Sequence, residues 1–280
     1  MTVMTGLGLA ALKGVHRRFD EHPWFDRVMR VPIVGYSLAV LAFDVLAFCR
    51  QVAAQPDVFR DPDSGIVIAT LARISQWEFI LLLAILPVFR FRPIAKSGSL
   101  LPRIGALAAA CVPPFFMLLE RAPPNLAFNL AAVMISLAAN VMAVVTVSFL
   151  GRSLSVMPEA RALVTSGPYA LVRHPLYLCE ILGVVAIVLQ YRSPLVAAIF
   201  VLVIALQMAR GQWEEEVLAR AFPELSAYRA RTPFLIPRDP VRFIAGFFVD
   251  AAVRRRSLMV IGATLALLCF VLTVLPRMVE

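Results

Sequence analysis

The sequence predicts an all-α polytopic membrane protein of about seven transmembrane helices, two of them joined in a tight helical hairpin. Three observations predict it. Hydrophobic residues make up 60% of the 280 positions and mean hydropathy is +0.82, well above the roughly 45–50% apolar usage of soluble domains. Charged residues are only 16% and gather between apolar runs. Those runs approach the roughly 20 residues that a helix needs to cross the hydrocarbon core.

In chain order the spans are Val31–Cys49, Ile66–Val88, Ile104–Leu119, Ala127–Leu150, Leu176–Gln190, Pro194–Ala209 and Leu258–Leu275. Pro113-Pro114 is expected to kink the third, because proline removes a helical hydrogen bond and clashes with the preceding turn. The fifth and sixth are short and only Tyr191-Arg192-Ser193 lies between them, so they read as the hairpin. Val52-Ala-Ala54 resembles a signal-peptidase site, but the apolar run before it is too long for a usual signal peptide, and an uncleaved first helix is expected. From Asp239 to Arg256, Val241, Ile244, Phe247, Phe248 and Ala251 recur at helical spacing beside Arg242 and Arg254–Arg256. That pattern predicts an amphipathic helix on the membrane surface or a plain connecting helix. The chain thus divides into N-terminal helices (1–125), a central core with the hairpin (126–240), and the amphipathic and last helices (241–280).

Lys and Arg set the expected orientation. The segments before span one, between two and three, between four and five, and after six carry Lys13, Arg17, Arg18, Arg27, Arg30, then Arg90, Arg92, Lys96, Arg103, then Arg152, Arg161, Arg173, then Arg210 through Arg256. The opposite segments carry Arg50, Arg60, Arg121, Arg192 and Arg277. The N-terminus is therefore expected in the cytoplasm and the C-terminus outside, in a bacterial inner membrane. The net charge of +9 follows this membrane plan and is not gathered on one module, so nucleic acid is not an expected partner. Cys49, Cys111, Cys179 and Cys269 lie far apart without Cys-x-x-Cys spacing. They point to apolar packing and give no support to a disulfide framework or a metal site.

Asp44, Arg73, Glu78 and Glu180 fall inside apolar runs, where charge is costly and invites a functional reading. Asp44 and Arg73 are expected at similar depths, either paired between the first two spans or snorkelling separately to the headgroups.

Two polar segments carry the chemistry. Gly167-Pro-Tyr-Ala-Leu-Val-Arg-His-Pro-Leu-Tyr177 joins a tight turn to an apolar run. The residue before Pro175 is pushed out of helical geometry, and Pro175 suits a first helical turn. His174 then stands at a helix entrance whose free N–H groups favour an anion; an interfacial anchor of Arg and Tyr is the plainer alternative. Arg210-Gly-Gln-Trp-Glu-Glu-Glu216 follows one hairpin later, with Arg210 and Glu214 on one helix face. Three adjacent acids near anionic lipid call for a cation, such as an ammonium or sulfonium, although a solvated surface accounts for Glu216 and one other. The hairpin returns this segment to the leaflet of Arg161–Tyr177.

At these residues the chain resembles the isoprenylcysteine carboxyl methyltransferase family and its phospholipid N-methyltransferase relatives. The likeness runs through Leu163-Val-Thr-Ser-Gly-Pro-Tyr-Ala170, Arg173-His-Pro-Leu-Tyr177, Arg210-x-x-x-Glu214-Glu215, Leu218, Phe222 and Tyr228-Arg-Ala-Arg-Thr-Pro233. The resemblance implies an integral membrane enzyme that uses S-adenosyl-L-methionine in a cytoplasmic pocket without a Rossmann domain. It implies that Leu163, Val164, Tyr169, His174, Pro175, Leu176, Tyr177 and Glu214 bind that cofactor, with Arg161 as a further candidate. Arg210 matches the arginine that holds the substrate near the reacting methyl group. Two positions depart from the family: Cys179, often Gly, and Pro223, usually Gly after Phe222.

The resemblance also implies a lipid-like or hydrophobic methyl acceptor that enters sideways from the bilayer. A carboxylate of isoprenylcysteine type needs no base and is the favoured acceptor; a phospholipid amine or small thiol would shed a proton, with His174 or Glu215 as candidate bases. A membrane sterol or enone reductase using NADPH shares an Arg-His-Pro-x-Tyr segment but usually has Asn where this chain has Leu176. A non-enzymatic membrane module would tolerate changes at Arg210 and Glu214.

Overall fold

A computed structural model describes residues 30–111, 122–123 and 125–278. It is an all-α membrane fold with very little strand. The basic N-terminal residues through Arg27 and the Pro113-Pro114 kink lie outside the described residues, as does the end of the third expected span.

The first helix, α1 (Val31–Ala54), starts on Pro32 and runs five residues beyond its apolar stretch. A short α2 (Pro56–Arg60) turns the chain into α3 (Ser64–Phe89), whose first turn is capped by Asp63 accepting from the Ile66 N–H at 2.7 Å. Such a cap satisfies one of the N–H groups that a helix start leaves unpaired. After α4 (Leu100–Cys111) comes the central helix α5 (Leu126–Leu150), capped by Asn125. Small residues Ala132, Ala139, Ala143 and Thr146 are buried along α5, which lets neighbouring helices approach closely. It packs against α3, against α6 (Pro175–Tyr191) and against α10 (Ala251–Thr273).

The hairpin is tighter than expected. Tyr191 belongs to α6, and only Arg192 in a left-handed conformation (φ 46°) and Ser193 precede α7 (Pro194–Ala221). At 28 residues and 1.5 Å per residue, α7 is about 42 Å long. That exceeds the roughly 30 Å hydrocarbon core, and one continuous helix carries both the apolar run and the polar stretch from Arg210. The 17-residue α6 is short for a crossing. Among the described residues five helices are long and apolar enough to span: Val31–Ala54, Ser64–Phe89, Leu126–Ser153, Pro194–Ala221 and Ala251–Arg277.

The surface helix differs from expectation. It ends at Val249 as α9 (Pro240–Val249), and the last long helix begins at once, because the Asp250 carboxylate accepts from the Ala252 and Val253 N–H groups and starts a new helix. Arg254–Arg256 therefore belong to the first turns of the last helix. Phe243 and Phe247 are buried against Val145, Val172 and Val253, while Val241, Ile244 and Phe248 stay exposed.

Loops expected on one side of the membrane meet in space. A two-residue strand β1 (Ala95–Lys96) pairs antiparallel with β2 (Glu159–Ala160), in register Ala95↔Ala160 and Lys96↔Glu159. No alternating pattern foretold this strap. At the other end the Ala122 N–H donates to the Gln190 carbonyl at 3.3 Å, and Arg192 donates to the Pro123 carbonyl.

Among the alternatives for the intramembrane charges, pairing holds. Arg73 lies 3.4 Å from Asp44, which also accepts from the Trp77 indole N–H at 2.7 Å. Glu78 accepts from the Thr264 hydroxyl at 2.7 Å and links α3 to α10.

Candidate functional site

Gly167 opens the site. Its φ of +62° is a conformation side chains rarely adopt, and a Cβ there would meet the Phe149 ring at 2.5 Å. The tight turn of Gly167–Ala170 buries Tyr169, whose backbone carbonyl accepts from the Tyr228 hydroxyl at 2.5 Å. Burial pushes both phenols well above their ordinary pKa, so each stays neutral. The Tyr169 hydroxyl has no hydrogen-bond partner among the described residues.

Arg173 and His174 then pair through their N–H groups with the carbonyls of Pro233 and Phe234, at 2.9 and 3.1 Å. This clamp holds His174 at the cap of α6 with Pro175 in its first turn. The imidazole stacks on Tyr177 (5.1 Å between centroids, planes 6° apart) and meets Phe234 at 4.6 Å. Gly211 on α7 makes room: a Cβ there would sit 2.6 Å from Phe234 and 3.4 Å from His174.

Across the hairpin the three adjacent acids divide. Glu216 is exposed, as expected of a solvated surface. Glu215 is buried and receives three side chains: Arg173 at 2.7 Å, Arg229 at 2.7 Å and His174 Nε2 at 3.1 Å. The cations anticipated for the acid run are thus, at Glu215, the protein's own. This differs from its reading as a candidate base: its carboxylate is engaged in tying α6 and α7 to α8 (Leu225–Arg231). Arg173 also donates to the Thr232 and Arg229 carbonyls, at 2.5 and 3.2 Å.

Glu214 accepts from the Tyr177 hydroxyl. Arg210 is 4% exposed, with its guanidinium carbon 4.5 Å from the Tyr177 ring centroid. Its Nη1 lies 3.4 Å from Glu180, which accepts from the Gln207 amide at 2.5 Å. The sequence marks Glu180 only as an intramembrane charge and singles out no role for Gln207. Spacing holds the missed signal: Tyr177 and Glu180 are three apart on α6, and Gln207, Arg210 and Glu214 follow at three and four on α7, which is one helix face each.

Arg161, Leu163, Val164, Tyr169, His174, Leu176, Tyr177, Arg210, Glu214 and Glu215 all line one open cleft of about 710 Å³, open solvent at its mouth included. Pro175 is buried in the first turn of α6 and is not among the lining residues. Arg161 lines the cleft while ion-pairing with Glu159 at 2.5 Å and donating to the Phe91 carbonyl, which ties the strap to the pocket wall. Arg229 and Phe234 complete the anchor. Their segment was part of the quoted pattern, but nothing local signalled that it folds back onto Arg173 and His174.

The cleft offers a carboxylate at Glu214, the unpartnered Tyr169 hydroxyl and apolar walls at Leu163, Val164 and Leu176. Such a set suits a ligand that joins a cation to an apolar group.

Residues 125–224 match the family model described as phospholipid methyltransferase. That segment contains the hairpin and most of the cleft, and the family belongs with the isoprenylcysteine carboxyl methyltransferase-like membrane enzymes. The resemblance read from the motifs is borne out there. The chain is 47% identical over 77 residues to the cobalt-zinc-cadmium resistance protein CzcN of Cupriavidus metallidurans, covering 27% of this chain and 36% of that one. It is 42% identical over 81 residues to the nickel-cobalt-cadmium resistance protein NccN of Alcaligenes xylosoxydans xylosoxydans, covering 29% and 38%. The matches span little more than a third of these relatives' length. No solved structure matches.

Proposed function

We propose, for a chain whose segment 125–224 carries the membrane methyltransferase family pattern, that it is an S-adenosyl-L-methionine-dependent methyltransferase with a lipid-like or hydrophobic acceptor. The observation that carries this reading is the convergence of His174, Tyr177, Arg210 and Glu214 from both arms of a membrane hairpin onto one cleft. The reading rests on that family and geometry, and not on the metal-resistance names of the relatives.

When bound, S-adenosylmethionine supplies an electrophilic methyl group on a sulfonium. The chain's residues position and neutralise. Glu214 balances positive charge, and the Tyr177 hydroxyl holds that carboxylate in place. Tyr169, Leu163, Val164 and Leu176 line the same cleft and would supply a hydroxyl and apolar contact to the rest of the cofactor. His174 is fixed between Tyr177, Phe234 and Glu215 and lines the cleft. Methyl transfer is an in-line displacement in which positioning and electrostatics supply the acceleration.

In this proposal the acceptor enters between the hairpin helices from the bilayer and the methyl donor enters from the cytoplasm, the side that the distribution of Lys and Arg favours. Integral placement in a bacterial inner membrane, N-terminus inside, completes the proposal. The carboxylate acceptor of isoprenylcysteine type needs a free guanidinium at Arg210; Glu180 already stands beside it, which weighs against that acceptor.

The test is calorimetric binding of S-adenosylmethionine and S-adenosylhomocysteine to detergent-purified protein, beside Glu214→Ala and with NADPH as control. Saturable binding of both, weakened in Glu214→Ala, is expected. Binding of NADPH alone would move the reading to a reductase. Folded protein that binds none of the three would leave a non-enzymatic membrane module.

A further inference from the structure

We infer that α9 is a docking surface for an anionic phospholipid leaflet, and that its seating on the headgroups braces the turn that carries Tyr169 and His174.

Two opposite sides of α9 are apolar. Phe243 and Phe247, four residues apart, are buried against Val145, Val172 and Val253. Val241, Ile244 and Phe248 follow one another at spacings of three and four on the other side, each more than half exposed. A helix that only connects α8 to α10 needs the first side alone. The second side calls for an apolar occupant.

Charge identifies that occupant. Arg238, Arg242, Arg254 and Arg255 are exposed, and none of the four side chains pairs with a carboxylate among the described residues. The neighbouring acids, Asp239 and Asp250, are spent on capping the starts of α9 and α10. Free arginines beside an apolar ridge are the set that holds a helix in the plane of an anionic leaflet. Depth agrees with this. The apolar run of α10 starts at Leu258, about two helical turns past Asp250, which sets α9 at the height of the headgroups. A soluble acidic partner would leave the ridge pointing at that same bilayer.

The inner side of α9 reaches the cleft. Gly246 allows a close approach to the turn, since a Cβ there would sit 3.0 Å from the Leu171 side chain. Leu171 and Val172 stand in the chain between Tyr169 and Arg173-His174, which line the cleft. At the joint with α10, Arg256 donates to the Ser148 carbonyl and lies 3.9 Å from the Phe149 ring centroid. Phe149 is the ring that closes on Gly167. Headgroups that hold α9 and the start of α10 therefore press on both ends of the Gly167–Val172 turn.

The test uses the full-length protein in nanodiscs of phosphatidylcholine alone and of phosphatidylcholine with phosphatidylglycerol. Hydrogen-exchange mass spectrometry follows wild type, the triple variant Arg238→Gln, Arg242→Gln, Arg254→Gln, and the double variant Ile244→Ser, Phe248→Ser. Amides of 236–249 and of 167–172 are expected to exchange at least about tenfold more slowly in the anionic discs, given roughly fivefold per arginine at such a surface. Salt at about 1 M, where the Debye length falls to about 3 Å, should remove most of that difference. The triple variant should lose the lipid dependence at both segments while its other helices exchange as in wild type. The double variant should lose protection of 236–249 in both lipids. Equal exchange of 236–249 in the two discs would overturn the docking surface. Protection that appears only with two copies in one disc would assign the ridge to a second copy and overturn it too. A lipid response at 236–249 with none at 167–172 would overturn the bracing. Severalfold tighter S-adenosylhomocysteine binding in the anionic discs, measured by calorimetry, is the further expectation and rests on the proposed function. Equal affinity in the two discs would overturn the bracing, whereas no binding in either would remove the methyltransferase reading and leave the exchange result standing.

Discussion

His174 Nε2 lies 3.1 Å from the carboxylate of Glu215, 41 residues later in the chain. The same carboxylate holds Arg173 and Arg229, each at 2.7 Å. The contact joins the helix entrance of α6 to the far arm of the hairpin and to the segment that closes the cleft. Because two cations and an imidazole depend on one buried carboxylate, the site has a single electrostatic keystone.

Replacing Glu215 by Ala should therefore do more than remove a candidate base. Breaking a buried pair leaves unbalanced charge and costs about 3–5 kcal/mol, less here because Arg229 is 40% exposed and solvent screens it. Thermal unfolding in detergent should shift down, and S-adenosylmethionine binding should be lost with it. Unchanged stability in Glu215→Ala would remove the keystone role.

Tyr177 separates two contributions. Tyr177→Phe keeps the ring against His174 and beneath Arg210 but loses the hydroxyl that donates to Glu214. A hydrogen bond to a charged group is worth about 1.5–3 kcal/mol, so calorimetry should show donor binding weakened by at least tenfold. Tyr177→Ala also removes the cation–π contact and should in addition lower the thermal midpoint.

Gly211→Ala tests the close approach. The added Cβ would lie 2.6 Å from Phe234, and overpacking of this kind costs about 1–3 kcal/mol. Reduced thermal stability and weaker S-adenosylmethionine binding are expected together, because Phe234 and His174 share the displaced space.

Arg210→Ala should abolish methyl transfer while S-adenosylmethionine still binds, since Arg210 faces the acceptor-side pair with Glu180 and Glu214 carries the donor charge. Calorimetry beside a transfer assay checks both halves. Transfer at the wild-type rate would remove Arg210 from the reaction.

Asp44 and Arg73 offer a test away from the site. Reversing either charge should destabilise the α1–α3 contact, and the double reversal should recover about 0.5–3 kcal/mol of coupling. Thermal unfolding of the two single variants and the double variant measures it; no recovery would mean the 3.4 Å contact carries no energy.

The sequence by itself determined an all-α membrane fold, the hairpin and most of the residues that line the cleft, while five of the seven expected spans are long and apolar enough to cross among the described residues. Membrane helices declare themselves because the bilayer demands long apolar runs. His174, Tyr177, Arg210 and Glu214 were legible because proline geometry and helical spacing are local properties. Only the tertiary structure decided how charge is shared. It showed Glu215 occupied by Arg173 and Arg229, Arg161 bound to the strap, and Glu180 beside Arg210. It also showed the break at Asp250, where one capping carboxylate overrides an unbroken apolar period. A side chain's partner across 14 to 42 residues is set by how helices pack and loops return, and no local periodicity encodes which carboxylate a given guanidinium will reach.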